Sequence, residues 1–391
     1  MAIPCFELCS GDTWRDPFAM YAALRDADPV HHVAGGDFYV LTRFADVWAA
    51  AGDSTTFSSA RGLTVNYGEI EATGMGEATP MVFLDPPAHT EFRALVTRDL
   101  TPRKVAAIEP LVRRFVVERV ERLREMGSGD IVAELFKPLP SFVVAHYLGV
   151  PEEDRPLFDR WTEAIVQAVA VGKATGGGNP FVELLGYFSG LIERRRREPG
   201  DDIVSQLVQL GEESVSAACI LGFAFTMVTG GNDTVTGMLS GSACLLTEHP
   251  DQRARLQAEP QRIGNAVEEL LRLTSPVQNL ARTATRDVEL HGVTIPAGRK
   301  VLLGYAAANR DPREFSATAE ELDIDRKINK ILTFSYGTHY CIGAAAARLQ
   351  ARVVLEELLA RCPDFEVDVE HGVYADGHYV RRHVSLAGAF F

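Results

Sequence analysis

Ten residues, Phe334-Ser-Tyr-Gly337-Thr-His339-Tyr-Cys341-Ile-Gly343, constrain this chain more than any other stretch. They set a lone thiol between two glycines, beside a histidine, immediately before an Ala-rich helical run from Ala344. A cysteine at a helix N-terminus, in a turn whose glycines let backbone amides face inward, is expected to be a thiolate. Two chemistries then stand open, nucleophile or metal ligand.

Composition narrows the setting. The chain has 391 residues, 46% of them hydrophobic, enough for a large core, and it reads as one domain over 1–391. A net charge of −14 argues against nucleic acid as partner. The cysteines, Cys5, Cys9, Cys219, Cys244, Cys341 and Cys362, show no C-x-x-C pair, so neither a disulfide framework nor a zinc knuckle is expected. No signal peptide precedes the first helix and no apolar run approaches the ~20 residues of a membrane span, which fits a reducing cytoplasm.

Hydrophobic periodicity predicts helices over Pro17–Ala27, Phe44–Ala51, Glu91–Arg98, Lys104–Met126 (with Pro110 as a kink point), Ser141–Leu148, Pro156–Val171 and Pro180–Arg197. Others are predicted over Ser214–Thr247, Pro250–Glu259, Arg262–Leu273 and Ala344–Arg361. Strands are few: Val30–His32 with Phe38–Leu41, Arg282–Leu290, Val301–Tyr305 and the tail around Tyr379–Ser385. The segment Gly292–Gly298 reads as turn, and Gly176-Gly-Gly178 as a connection or part of a lid. The predicted fold class is mainly α with small β-sheets.

Each chemical motif has a plain alternative. A cysteine nucleophile needs a base in reach, and His339, two residues away, is badly placed for that. A structural cysteine has no use for glycines at 337 and 343. An axial thiolate on haem iron uses both, because a tight amide-rich loop donates hydrogen bonds to sulfur. Within the long apolar run, Thr229-Gly230-Gly231-Asn232-Asp233-Thr234 places six poor helix formers together. That is either a break between two helices or a turn opened for a small ligand and water. Thr226 and Gly230 fall on the face of Thr234. Glu269-Leu-Leu-Arg272 is an i,i+3 ion pair, ordinarily a surface feature. His89 and Arg93 share a helical face, and Arg282 opens a strand with Gln278 and Leu280 at alternate positions; carboxylates or solvent can satisfy these cations.

Taken in this order, the motifs resemble the cytochrome P-450 superfamily, in particular its soluble actinobacterial members, over nearly the whole chain. The resemblance implies the family fold, a helical prism with haem between the long central helix and the helix after the cysteine loop. It implies heme b (iron protoporphyrin IX) as cofactor and Cys341 as the metal ligand. Phe334 then shields the sulfur, Gly343 and Gly230 leave room for the cofactor, and His89, Arg93, Arg282 and His339 bind its propionates. Asp233 and Thr234 become the catalytic pair, relaying protons to dioxygen, and Glu269 with Arg272 a buried structural pair. One departure is Ser335, where most bacterial members carry glycine.

The implied activity is insertion of one oxygen atom from dioxygen into an apolar organic substrate. A haem-thiolate peroxygenase and a non-catalytic haem sensor are the alternatives. Substrate contacts are expected from Thr226, Thr229, Gln278, Leu280, Gly62–Pro80, the region of Gly172–Phe181, and Tyr379. No G-x-G-x-x-G nucleotide motif follows a strand, so by family analogy a ferredoxin and its reductase supply electrons. Arg98, Arg103, Lys104, Arg348 and Arg352 are the candidate docking cations.

Overall fold

The computed structural model describes residues 5–73, 78–158, 160–161 and 180–391. Helices dominate, and the strands form small sheets. Six helices frame the site: α1 (Ala88–Val96), α2 (Glu109–Met126), α3 (Pro138–Leu148), α4 (Ala217–Glu248), α5 (Ile263–Thr274) and α6 (Ala344–Arg361). One apolar core runs through them, from Val30 to Phe390. Among the described residues, no helix is long and apolar enough to cross a membrane. The expected connection Gly176–Gly178, most of the predicted helix Pro156–Val171 and the region 172–179 lie outside the described residues.

The spine is α4. Its 32 residues extend about 48 Å at 1.5 Å per residue, and the Ser216 hydroxyl caps its start by accepting from Cys219 N. The helix predicted over Ser214–Thr247 runs unbroken through Thr229–Thr234, so the alternative of a break between two helices does not hold. Side chains there bond back onto the helix itself. Thr226, Thr229 and Thr234 hydroxyls donate to carbonyls four residues earlier at 2.8, 2.9 and 2.8 Å, and Asn232 does the same at 2.7 Å. Burial of Phe223, Val228, Val235 and Leu239 supplies what propensity withholds.

The predicted helix Lys104–Met126 is two helices, Pro102–Ala107 and α2, meeting at Ile108. Pro110 starts the second rather than kinking a longer one, because a first-turn proline has no intrahelical hydrogen bond to lose. An ion-pair belt clamps α2 to α6. Arg113 holds Glu109 at 2.7 Å, Glu356 at 2.6 Å and also Glu357, while Arg352 holds Glu109 at 2.5 Å and Glu356 at 2.9 Å.

In the five-stranded sheet, Phe38–Leu41 pairs with Val30–Val33 on one side and runs parallel to Lys300–Leu303 on the other. Lys300–Leu303 pairs in turn with Leu280–Ala284, with Arg282 opposite Val301. The predicted strand Arg282–Leu290 is therefore split. Leu280–Ala284 enters this sheet, and Val288–Leu290 forms a separate hairpin with Val293–Ile295. The stretch expected as pure turn holds that second strand, and the reversal is confined to His291 and Gly292, at φ 50° and 79°.

Candidate active site

The Cys341 loop is held from both ends. Cys341 N donates to Phe334 O at 2.9 Å, and Ser335 N to Leu332 O at 2.9 Å. Gly337 sits at φ 70°, and a Cβ there would lie 2.9 Å from Gly52 Cα. Only glycine lets the loop rest on the end of helix Phe44–Gly52. Tyr336 stacks on Trp48 with ring centroids 3.8 Å apart. Phe334 is buried, and the Arg348 guanidinium lies over its ring at 4.5 Å. Ser335 adopts φ 58°, the conformation a glycine would take freely, with its hydroxyl 3.2 Å from Tyr305 Oη.

Cys341 keeps accessible surface, yet the surrounding protein is dense enough that desolvation pushes the thiol up. The Gly343 amide, Arg93 and Arg348 pull the other way, and a cation at the sulfur would favour the thiolate. Gly343 lies against the sulfur, since a Cβ there would be 3.9 Å from Cys341 Sγ. Among the described residues no group of three His, Cys, Asp or Glu side chains could hold a metal ion. A metal at Cys341 must bring its remaining ligands with it, as a porphyrin does.

Four cationic or potentially cationic side chains from distant parts of the chain meet beside this loop. His89 and Arg93 come from α1, Arg282 from the central sheet and His339 from the loop itself. The His89 and His339 rings are 4.3 Å apart between centroids. Arg93 donates to Tyr340 O at 2.5 Å and to Thr338 O at 3.4 Å, and Arg282 to Ala281 O at 2.8 Å. None of the four has an ion pair among the described residues, and His89 Nδ1 is buried without a hydrogen-bond partner. Burial holds His339 down at about 3, and Arg282, His89 and Arg93 lower it further. His89 is lowered by burial and Arg93, with Asp85 opposing. Two guanidiniums beside two imidazoles, one with a buried unpartnered ring nitrogen, fit an anionic group with carboxylates.

Strand placement corrects two expectations. Arg282 lies inside Leu280–Ala284 rather than opening a strand, and Gln278 precedes it. Gln278 turns back to cap α5, donating to Ser275 O at 2.7 Å and Thr274 O at 3.3 Å, which leaves only its buried Oε1 without a partner. Leu280 is half-buried. On α4, Gly230 is exposed, and Thr226, Thr229 and Thr234 are half-buried.

Asp233 has a partner that sequence reasoning missed. Arg382 Nε meets its Oδ2 at 2.8 Å. Burial raises the Asp233 carboxyl above its ordinary range, with Arg382 opposing. A second miss is Ser59, whose hydroxyl lies 3.2 Å from His339 Nε2. Neither partner carries a local signal, because each pairing joins chain segments far apart in sequence.

Glu269 and Arg272 are fully buried. Arg272 also donates to Asn309 O at 2.8 Å and Ala319 O at 2.6 Å, and Arg326 joins Glu269 at 3.1 Å. The pair thus binds α5 to the chain leading into the cysteine loop. Three of the expected docking cations prove to be committed elsewhere. Lys104 is paired with Asp99, Arg348 with Glu268 and Arg352 with Glu109 and Glu356. Arg98 and Arg103 are exposed and form no ion pair among the described residues. Next to them a cleft of about 550 Å³, lined by Thr97, Leu100, Val105, Val267 and Ala345, reaches Cys341.

Comparison with known proteins agrees with this geometry. The family model described as Cytochrome P450 matches residues 189–374. The chain is 60% identical to "Cytochrome P450 130" of Mycobacterium tuberculosis, covering 97% of this chain and 96% of that one. It is 36% identical to the "Vitamin D(3) 25-hydroxylase" of Pseudonocardia autotrophica, over 96% and 94%. The crystal structure of CYP109Q5 from Chondromyces apiculatus superposes with a TM-score of 0.89 at 33% identity, covering 100% of this chain and 99% of that one.

Proposed function

This chain belongs to the cytochrome P450 family of haem-dependent monooxygenases, and on that premise we propose how its own residues divide the work. Cys341 would hold the haem iron through its sulfur, with Phe334 and the Gly343 amide shielding and tuning that sulfur. His89, Arg93, Arg282 and His339 would hold the propionate carboxylates. The observation that carries this reading is their convergence around the orphaned His89 Nδ1, beside a lone cysteine that no other metal ligand accompanies. When bound, haem supplies dioxygen activation; everything else falls to the polypeptide.

On the α4 side, Thr234 and Asp233 govern protons. The Thr234 hydroxyl donates to Gly230 O, so its oxygen lone pairs are available to accept a hydrogen bond. Asp233 is raised by burial, with Arg382 opposing, which suits a carboxyl that takes up and passes on a proton. Thr226, Thr229 and Leu280 line the substrate side, and Gly62–Thr73 and Tyr379 complete it; residues 74–77 of the expected stretch Gly62–Pro80 lie outside the described residues. Gln278 contributes at most its carbonyl oxygen. A sizeable apolar molecule fits such a lining, and the name of the vitamin D(3) relative points the same way.

A ferredoxin and its reductase are the electron donors in this reading, docking over the cleft at Cys341 with Arg98 and Arg103 as the free cations. The unpaired cysteines support a reducing cytoplasm. The test is reconstitution with haem followed by CO-difference spectroscopy. A thiolate-type band in the native chain and its loss in Cys341→His are expected, and an unchanged band in that variant defeats the assignment.

A further inference from the structure

Asp233 and Arg382 meet because two backbones approach unusually closely. Gly237 lies one turn after Asp233, and a Cβ there would be 2.5 Å from Arg381 O and 3.2 Å from Arg382 Cβ. With no side chain in the way, residues 381–382 lie directly on α4. The segment is fixed from its other side as well. Arg381 N donates to Pro276 O at 2.8 Å, Gln278 N to Tyr379 O at 2.8 Å, and Val380 bridges Val277. Arg382 therefore reaches Asp233 from a rigid support, with its side chain 10% exposed and that of Asp233 21% exposed.

We infer that Arg382 is a positioning residue for proton delivery, holding the Asp233 carboxylate in one orientation about 100° round α4 from its neighbour Thr234. This rests on the relay role proposed for Asp233. The neighbouring charged groups are consistent with it. Lys137, just before α3, also lowers Asp233, and the phenol of Tyr379 is raised by burial and then by Asp233. Without Arg382, burial raises the Asp233 carboxyl further and its orientation is no longer fixed by an ion pair.

The experiment uses haem-loaded protein with a photochemical reductant, so that no identified substrate is needed. Dioxygen consumption and its solvent isotope effect are measured for Asp233→Asn, Arg382→Gln, Arg382→Lys, Gly237→Ala and the double variant Asp233→Asn/Arg382→Gln. CO-difference absorbance confirms that each is folded and loaded. Infrared difference spectra against Asp233→Asn report a protonated Asp233 directly. Proton-limited turnover is expected to fall about tenfold in Asp233→Asn and in Arg382→Gln. It falls no further in the double variant, because the two residues act as one unit. The neutral-carboxyl band should grow in Arg382→Gln and return to the native level in Arg382→Lys. Gly237→Ala should reproduce the loss without removing any charge. Native turnover in Arg382→Gln beside an impaired Asp233→Asn overturns this inference and leaves the relay standing, as do additive losses. Native turnover in Asp233→Asn overturns both.

Discussion

Arg272 grips Glu269 with two hydrogen bonds, Nε to Oε2 at 2.8 Å and Nη2 to Oε1 at 2.7 Å, and neither side chain touches solvent. Removing one partner strands the other as a buried charge. Glu269→Ala should cost about 3–5 kcal/mol, read as a lower urea midpoint, and should loosen the cysteine loop that Arg272 supports. An equilibrium loss below about 1 kcal/mol would place the pair among ordinary surface bridges.

Ser335 predicts a particular order of stabilities. Alanine keeps the left-handed backbone, which disfavours any residue with a Cβ by about 1–2 kcal/mol, and loses the hydroxyl contact with Tyr305. Glycine also loses the contact but relieves the backbone. Ser335→Gly is therefore expected to be more stable than Ser335→Ala by about 1 kcal/mol, as measured by denaturant titration.

His383 makes stability depend on pH. Burial, then Arg381 and Arg15, hold it down at about 3, while the unfolded chain titrates at the ordinary histidine value. The unfolded state consequently binds the extra proton first as pH falls. Stability is retained above that ordinary value and lost on acidification toward 3, by about 1.4 kcal/mol per pH unit. A His383→Gln variant should lack this part of the slope between pH 6 and 4. An identical slope would mean that other groups carry it.

Thr234→Ala separates folding from chemistry. Alanine is the better helix former by about 0.6 kcal/mol, so thermal stability should hold or rise. Electron use should nevertheless uncouple from product, with peroxide released instead. Full coupling in this variant would remove Thr234 from the proton path.

Charge reversal at the docking surface should divide by pairing state. Arg98→Glu or Arg103→Glu is expected to slow reduction by ferredoxin several-fold at low salt, and the effect should fade as salt screens it. Arg352→Glu should act chiefly by loosening α2 from α6, seen as lower stability at any salt. Equal kinetic effects for all three would show that the ion-pair belt opens on docking.

What the sequence made legible was local. The cysteine loop announces itself because turn chemistry is written in adjacent residues, and the amphipathic stripe of α5 carries Glu269 and Arg272 at fixed spacing. Hidden were the features that depend on tertiary surroundings. Poor helix formers at 229–234 leave a break open as an alternative, but burial keeps α4 whole. Gln278 looks like a pocket residue until it caps a helix. Arg382, in the run Arg381-Arg382-His383, offers nothing to connect it with Asp233 until a missing Cβ brings the two together.

Among the described residues no cluster of three His, Cys, Asp or Glu side chains accompanies Cys341, and that bears on metal selectivity. One thiolate cannot tell iron from cobalt or manganese, because discrimination among such ions depends on ligand number and geometry. In the reading proposed above, Arg93, Arg282, His89 and His339 would read the carboxylates of the macrocycle, not the ion at its centre. Metal choice is thereby delegated to whatever assembles the porphyrin, and the apoprotein should accept cobalt or manganese protoporphyrin in place of the iron form.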